Sequence, residues 1–110
     1  MASSMQAELV DRLRALFDAA FTREVSMFGG LAFMVDQKLV VSARRAGDLL
    51  VRIPKERFDE LTSLPGVSEA VMGRDRVMGR NWVAVSAKAV AADADLSRWV
   101  EIARSSASGH

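Results

Sequence analysis

The sequence contains no cysteine. That excludes disulfides, thiolate catalysis and the usual cysteine-bearing zinc centres. It has one histidine, His110, the last residue, which reads as a frayed or appended end. Mechanisms that need an imidazole base near neutral pH therefore lose their candidate. An excess of one charge is missing as well. Fifteen Lys and Arg stand against fourteen Asp and Glu, a formal charge of +1. No global field points to nucleic acid or to a membrane, so any phosphate binding needs a local patch. No run approaches the ~20 apolar residues of a membrane span. The opening MASSMQAELVDRLR has no apolar signal-peptide core. A cytoplasmic location without membrane contact is the expectation.

What is present suits one modest core. Half of the 110 residues are hydrophobic, and a chain of this length buries roughly 60–70% of the surface it exposes when unfolded. One domain spanning residues 1–110 is expected. SSMQAELVDRLRALFDAAF reads as a helix, with Met5, Leu9, Leu13, Leu16, Phe17 and Ala20 near one face. Ser3 and Gln6 have capping-box spacing, and Glu8 and Arg12 form an i,i+4 pair. Residues 25–53 read as four short strands joined by brief turns at DQK and RAGD. Connections this short require antiparallel pairing. Pro54 opens a short helix with Phe58, Leu61 and Leu64 inward, and Pro65-Gly66 stops it. VSEAVMGRDRVMGR repeats Val-Met-Gly-Arg at 71–74 and 77–80, too briefly for a repeat architecture, and reads as an irregular ribbon. NWVAVSA is a further strand. DADLSRWVEIARSS closes the chain as a helix capped by Asp93, with Leu96, Trp99, Val100 and Ala103 inward. The fold class is α+β: an antiparallel sheet of about five to six strands with an N-terminal, a middle and a C-terminal helix.

Gly29-Gly30 lies between two apolar strand-like runs. A P-loop needs a lysine and a hydroxyl after its last glycine, yet Leu31 and Ala32 follow here. A dinucleotide fingerprint needs three spaced glycines opening a helix, yet LAFMV is strand-like. The pair is expected to supply a backbone bend with φ > 0, or a close approach, between core strands. No cofactor is expected.

The segment MFGGLAFMVDQKLVVSARRAGDLLVRI closely resembles the N-terminal domain of the TfoX/Sxy family, whose hallmark is a Met-Phe-Gly-Gly segment leading into an antiparallel meander. Met27, Phe28, Gly29 and Gly30 carry that motif. LPGVSEAVMGRDRVMGRNWVAV is similar to the family's Gly-Arg…Met…Gly…Trp segment, which ends here on Trp82. DADLSRWVEIA is similar to its closing helix and contains Trp99. The resemblance covers nearly the whole chain. It implies an antiparallel α+β domain, also similar to the small YjbR-like domains for which DNA binding is suggested. It brings no catalytic residues. Two-domain members regulate natural competence, acting at promoters with a cyclic-AMP-responsive activator, and carry a second, helical domain. The present sequence is expected to be a stand-alone N-terminal domain.

The arginines are the leading contact candidates. Arg44 and Arg45 precede a turn, and Arg74, Arg76 and Arg80 fall in GRDRVMGR. A guanidinium offers phosphate a planar fork and a permanent charge. The alternative is a solvated turn whose arginines pair with Asp48, Glu69 or Asp75. Trp82 and Trp99 would serve as base-stacking surfaces or, as their apolar settings favour, as core. Met27, Met34, Met72 and Met78 read as core filling or as an adaptable contact surface. The carboxylates are scattered, with no spacing that suggests a metal or glycosidase centre. The function expected is therefore non-enzymatic: a domain of transcription- or competence-regulator type binding a protein or DNA. The alternative is a small homo-oligomer, a homodimer for instance, working through protein contact alone.

Overall fold

Leu9, Leu13 and Phe17 recur every four residues and all three are buried, with Val10 beside them. They form the inward stripe of α1, Ser4–Leu16, and of the residue that follows it. The computed structural model to which these elements belong describes residues 4–18, 20–27, 30–45, 47–72 and 76–107. After α1 come β1 (Thr22–Met27), β2 (Gly30–Val35), β3 (Lys38–Ala43) and β4 (Leu49–Arg52). A 3-10 turn (Lys55–Arg57) leads into α2 (Phe58–Thr62). Next are β5 (Val67–Glu69), β6 (Val71–Met72), β7 (Arg76–Val77) and β8 (Trp82–Val85). A 3-10 turn (Lys88–Val90) precedes α3 (Asp93–Ala107).

Six strands form one antiparallel sheet in the order β1-β2-β3-β4-β8-β5, while β6 and β7 pair separately as a small ribbon. The α+β class and the three helices expected from the sequence are therefore present, with a six-stranded sheet. Alternation gives that sheet two unlike faces. Phe33, Val41, Leu49, Val51, Val83 and Val85 join Leu9, Leu13, Leu96, Trp99, Val100 and Ala103 in one buried cluster under α1 and α3. Each such aliphatic side chain contributes about 1.5–3 kcal/mol by leaving water. The alternate strand positions, among them Ala32, Ser42, Leu50 and Ala84, point to the far face. Val40 breaks the alternation: Phe33 pairs with Val41 and Met34 with Leu39, leaving Val40 as a bulge. The extra residue lets both Val40 and Val41 join the cluster.

Several local expectations are corrected. Arg12 does not pair with Glu8. It donates to the carbonyls of Val90 (2.8 Å) and Ala91 (3.2 Å) and to Asp93 Oδ1 (3.0 Å), where three acceptors converge. Asp93 does not cap α3, because Ala92 holds that position, its carbonyl accepting from the Leu96 N–H. Leu64 is 45% exposed, since α2 ends at Thr62 and no longer carries it inward. Met5 and Ala20 are exposed at the two ends of the first stripe. Ser3 lies outside the described residues. Gln6, its expected capping partner, donates to the Ala43 carbonyl at 3.0 Å and so ties α1 to the sheet.

The glycine pair is half visible, because Phe28 and Gly29 lie outside the described residues. Gly30 has no positive φ, which corrects the expectation of a left-handed bend there. Its constraint is close approach: a Cβ at Gly30 would stand 2.7 Å from the Ala43 carbonyl oxygen and 2.9 Å from Ser42 Oγ. Positive φ occurs instead in the β2–β3 turn, at Asp36 (52°) and Gln37 (65°). With Val35 opposite Lys38, this is a two-residue hairpin turn of the primed type, which favours Asp-Gly.

Two stability changes of opposite sign are expected. Gly30→Val should cost about 1–3 kcal/mol, because the neighbouring strand's backbone must move to admit the side chain. Gln37→Gly should add about 0.5–1 kcal/mol by relieving a left-handed non-glycine residue. Urea midpoints of the two variants against the parent check both, and a Gly30→Val midpoint equal to the parent's would refute the close-approach account.

Candidate functional site

The β3–β4 turn is held by its own backbone. The Arg44 N–H donates to the Asp48 carbonyl and the Gly47 N–H to the Arg44 carbonyl, both at 2.9 Å. Gly47 adopts φ of 84°, which its lack of a side chain permits. This geometry brings Arg44 Nε to 3.1 Å from Asp48 Oδ2. Arg44 Nη1 also reaches the Val71 carbonyl at 3.4 Å. Arg44 is out of phase with buried Ala43, so it belongs to the far face. Its bond to Val71 sets the β6–β7 ribbon against that end of the sheet. The Met78 N–H donates to the carbonyl of fully buried Ala70 at 2.8 Å and closes the ribbon's base.

The five arginines singled out by the sequence divide accordingly. Arg44 is half-buried and paired. Arg45, beside it, and Arg76, on β7, are exposed and have no hydrogen-bond or ion-pair partner among the described residues. Arg80 leaves the ribbon for α2: its Nη2 lies 3.0 Å from Asp59 Oδ2, and its guanidinium sits 4.7 Å from the centre of the Phe58 ring. It is nonetheless 57% exposed along its side chain. Arg74 lies outside the described residues. Turn and ribbon are thus brought together through Arg44, while Arg80 belongs to a neighbouring cluster.

The two tryptophans have opposite roles. Trp99 is in the core, 5% exposed. Trp82 is half-buried on the far face, opposite Arg52 on the adjacent strand, whose guanidinium lies 4.7 Å from the indole centre. The sequence reading overlooked Arg52. Its signal was a lone arginine in strand phase between Val51 and Ile53, both fully buried, so its side chain had to point the other way. Burial pushes the Arg52 guanidinium down from its usual range. Arg23 and Phe21 at the start of β1 were overlooked too, and Phe21 is 72% exposed.

Other charges are employed locally. Arg14 Nε and Nη2 donate to the two oxygens of Glu24 at 2.9 and 2.8 Å and fasten edge strand β1 to α1. Those bonds hold the Glu24 carboxyl below its usual range. Arg57 does the same for Glu60 on α2. Arg104 donates to the Leu16 carbonyl and stacks on Phe17 at 4.9 Å. Among the described residues no group of three or more His, Asp or Glu converges as metal ligands, and no helix is long and apolar enough to cross a membrane.

Compared with family models, residues 15–107 match the TfoX N-terminal domain. The chain belongs to that family. No curated protein and no solved structure matches it. In this TfoX domain Gly30 and Trp99 are structural: one permits strand contact and the other fills the core. Met27 belongs to β1 opposite Gly30. Of the two motif tryptophans, Trp82 alone reaches the surface.

Replacing Arg44 by Ala should lower stability by about 1–2 kcal/mol, since it removes charged hydrogen bonds at a half-buried position. Arg45→Ala and Arg76→Ala should each stay within about 0.5 kcal/mol of the parent. Thermal melts of the three variants test this division between a structural arginine and two exposed ones.

Proposed function

We propose that this TfoX domain is a non-enzymatic binding module of transcription-regulator type, holding a macromolecular partner, DNA or an acidic protein surface, at its turn and ribbon. The observation that carries the reading is the pairing state of the arginines. Arg44 joins turn to ribbon, while Arg45 and Arg76 project from the two joined segments with no acid among the described residues to neutralise them. An arginine fork without a counter-ion is available for a phosphate or a carboxylate. Family membership supports the same reading.

A second reading has its own observation. β1 and β5 are the outer strands of the sheet and pair on one side only, and a free edge can accept a strand from another copy. On that reading the domain is a homodimer working through protein contact.

Binding of a labelled duplex across a salt series separates the readings. Backbone contacts make affinity fall steeply with salt. The double variant Arg45→Ala/Arg76→Ala should then bind more weakly, with a salt slope flatter by about one unit for each phosphate it no longer neutralises. Identical slopes for parent and variant would remove DNA from the turn and ribbon. A concentration-dependent mass in sedimentation equilibrium, unaffected by the substitutions, would favour the homodimer.

A further inference from the structure

Strand pairing sets the side chains of the far face in rows across the sheet. In the row nearer the ribbon the central residues Ala32, Ser42 and Leu50 are buried, with Val25 and Ala84 half-buried on either side. The row at the opposite end runs Arg23, Met34, Leu39, Arg52, Trp82 across β1, β2, β3, β4 and β8. Arg23 is exposed, and the other four are half-buried. Arg23 stands opposite Met34, Met34 opposite Leu39, and Arg52 opposite Trp82. Arg52 Nε donates to the Leu39 carbonyl at 2.7 Å and closes the remaining gap in the row.

The charges in this row are unusual. Arg52 is stacked on Trp82 and partly desolvated, yet no carboxylate holds it and its terminal nitrogens have no acceptor among the described residues. Arg23 has no partner among them either. Among the described residues in strand phase on this face the acid is Asp48, and Arg44 already neutralises it. Glu24 and Glu69 point to the helix side. The row ends in a hollow of about 550 Å³ lined by Ala20, Phe21, Thr22, Arg23, Met34, Asp36 and Gln37. Each end therefore carries an aromatic ring beside an arginine, with Met34 and Leu39 as an apolar floor between. Asp36 on the turn is the acid at the rim.

We infer that this row is a binding platform for single-stranded nucleic acid, with bases stacking at Trp82 and in the Phe21 hollow and phosphates held by Arg52 and Arg23. The inference rests on the reading of the domain as a partner-binding module and names the partner's chemistry. Distance selects a polymer over a small anion. Arg23 and Arg52 lie three strand spacings apart, roughly 14 Å along the sheet, and the Arg52 guanidinium is held over Trp82, on the side away from Arg23, so one phosphate does not join them. Chemistry selects nucleic acid over an acidic peptide: an aromatic face beside a guanidinium at each end suits a base and its phosphate, while a peptide carboxylate uses only the guanidinium. An unstacked strand is needed because a half-buried indole on a sheet face cannot enter a duplex stack.

The test uses the full chain and a labelled oligothymidylate of about a dozen nucleotides, long enough for site sizes of this class. Anisotropy reports affinity. Tryptophan emission reports contact, since Trp99 is buried and Trp82 supplies the accessible signal. The parent should bind at low salt with quenched emission. Arg52→Met, Arg23→Ala and Phe21→Ala should each bind roughly five- to tenfold more weakly, while Arg52→Lys, which keeps charge but loses the planar stack, should recover part of the loss. Arg23 and Phe21 are exposed, so their variants fold even if Arg52→Met does not. Equal binding by the parent and by the Arg23 and Phe21 variants would overturn the inference. So would absence of single-strand binding, or equal competition by polyglutamate. Single-strand binding that falls with Arg45→Ala/Arg76→Ala but not with Arg52→Met, Arg23→Ala or Phe21→Ala would leave the partner reading standing and refute the platform alone.

Discussion

Alternation along the central strands is the constraint on which the rest depends. Val41 faces Val51 and Val51 faces Val83 across β3, β4 and β8, while Leu49 faces Val85. All five are fully buried beneath α1 and α3. A slip of one residue in β4 would carry Arg52 into that cluster and expel Val51. An unpaired guanidinium in the core costs several kcal/mol, so the register that seals the core also fixes Arg52 on the far face beside Trp82. The Val40 bulge adjusts the same constraint locally. It adds one apolar side chain to the helix side and still leaves Leu39 in far-face phase, with its carbonyl within reach of Arg52.

Connections reinforce this geometry from outside the sheet. Arg12 joins α1 to the segment before α3 through two carbonyls and Asp93. Arg14 ties α1 to β1 through Glu24, and Lys38 donates to the Ala107 carbonyl at the end of α3, where a cation complements the helix dipole. Exposed pairs of this kind contribute modestly one at a time, ~0–1 kcal/mol. Their effect here is positional, because each closes a helix end or an edge strand onto the core. On the far face, Arg44 ties the β3–β4 turn to the ribbon through the Val71 carbonyl.

Much of this was legible in the sequence because it rests on period. The stripe Leu96, Trp99, Val100, Ala103 has i, i+3, i+4 and i+7 spacing and is buried as a unit. The four short strands after α1 were readable from turns too short for parallel crossovers. What could not be read depends on partners distant in sequence. Arg12 found acceptors about eighty residues away instead of one turn away. Gly30 owes its constraint to the Ala43 carbonyl, set by a register that no local pattern encodes. The arginines of GRDRVMGR look like one group because they are adjacent in sequence. Three-dimensional neighbours divide the wider set, drawing Arg80 to Phe58 and Asp59 while Arg44 bonds across to the ribbon.

That division gives the surface its meaning. An arginine fastened to carboxylates and carbonyls at well-formed distances has its donors occupied, and releasing it to a ligand would forfeit those bonds. Arg12, Arg14, Arg44 and Arg57 are in this state. Arg45 and Arg76 are not, but they are solvated, and water meets their needs at little cost. Arg52 differs from both groups: it is partly desolvated, lies against an indole, and has a single carbonyl for its Nε. Its terminal nitrogens still reach solvent, but among the described residues no acid pairs with this partly desolvated guanidinium, so an arriving phosphate meets a less screened charge there than at a fully exposed arginine. A net charge of +1 conceals this contrast. Sign and number of charges are nearly balanced over the chain, and the imbalance that matters is in which guanidinium groups the fold leaves without acceptors.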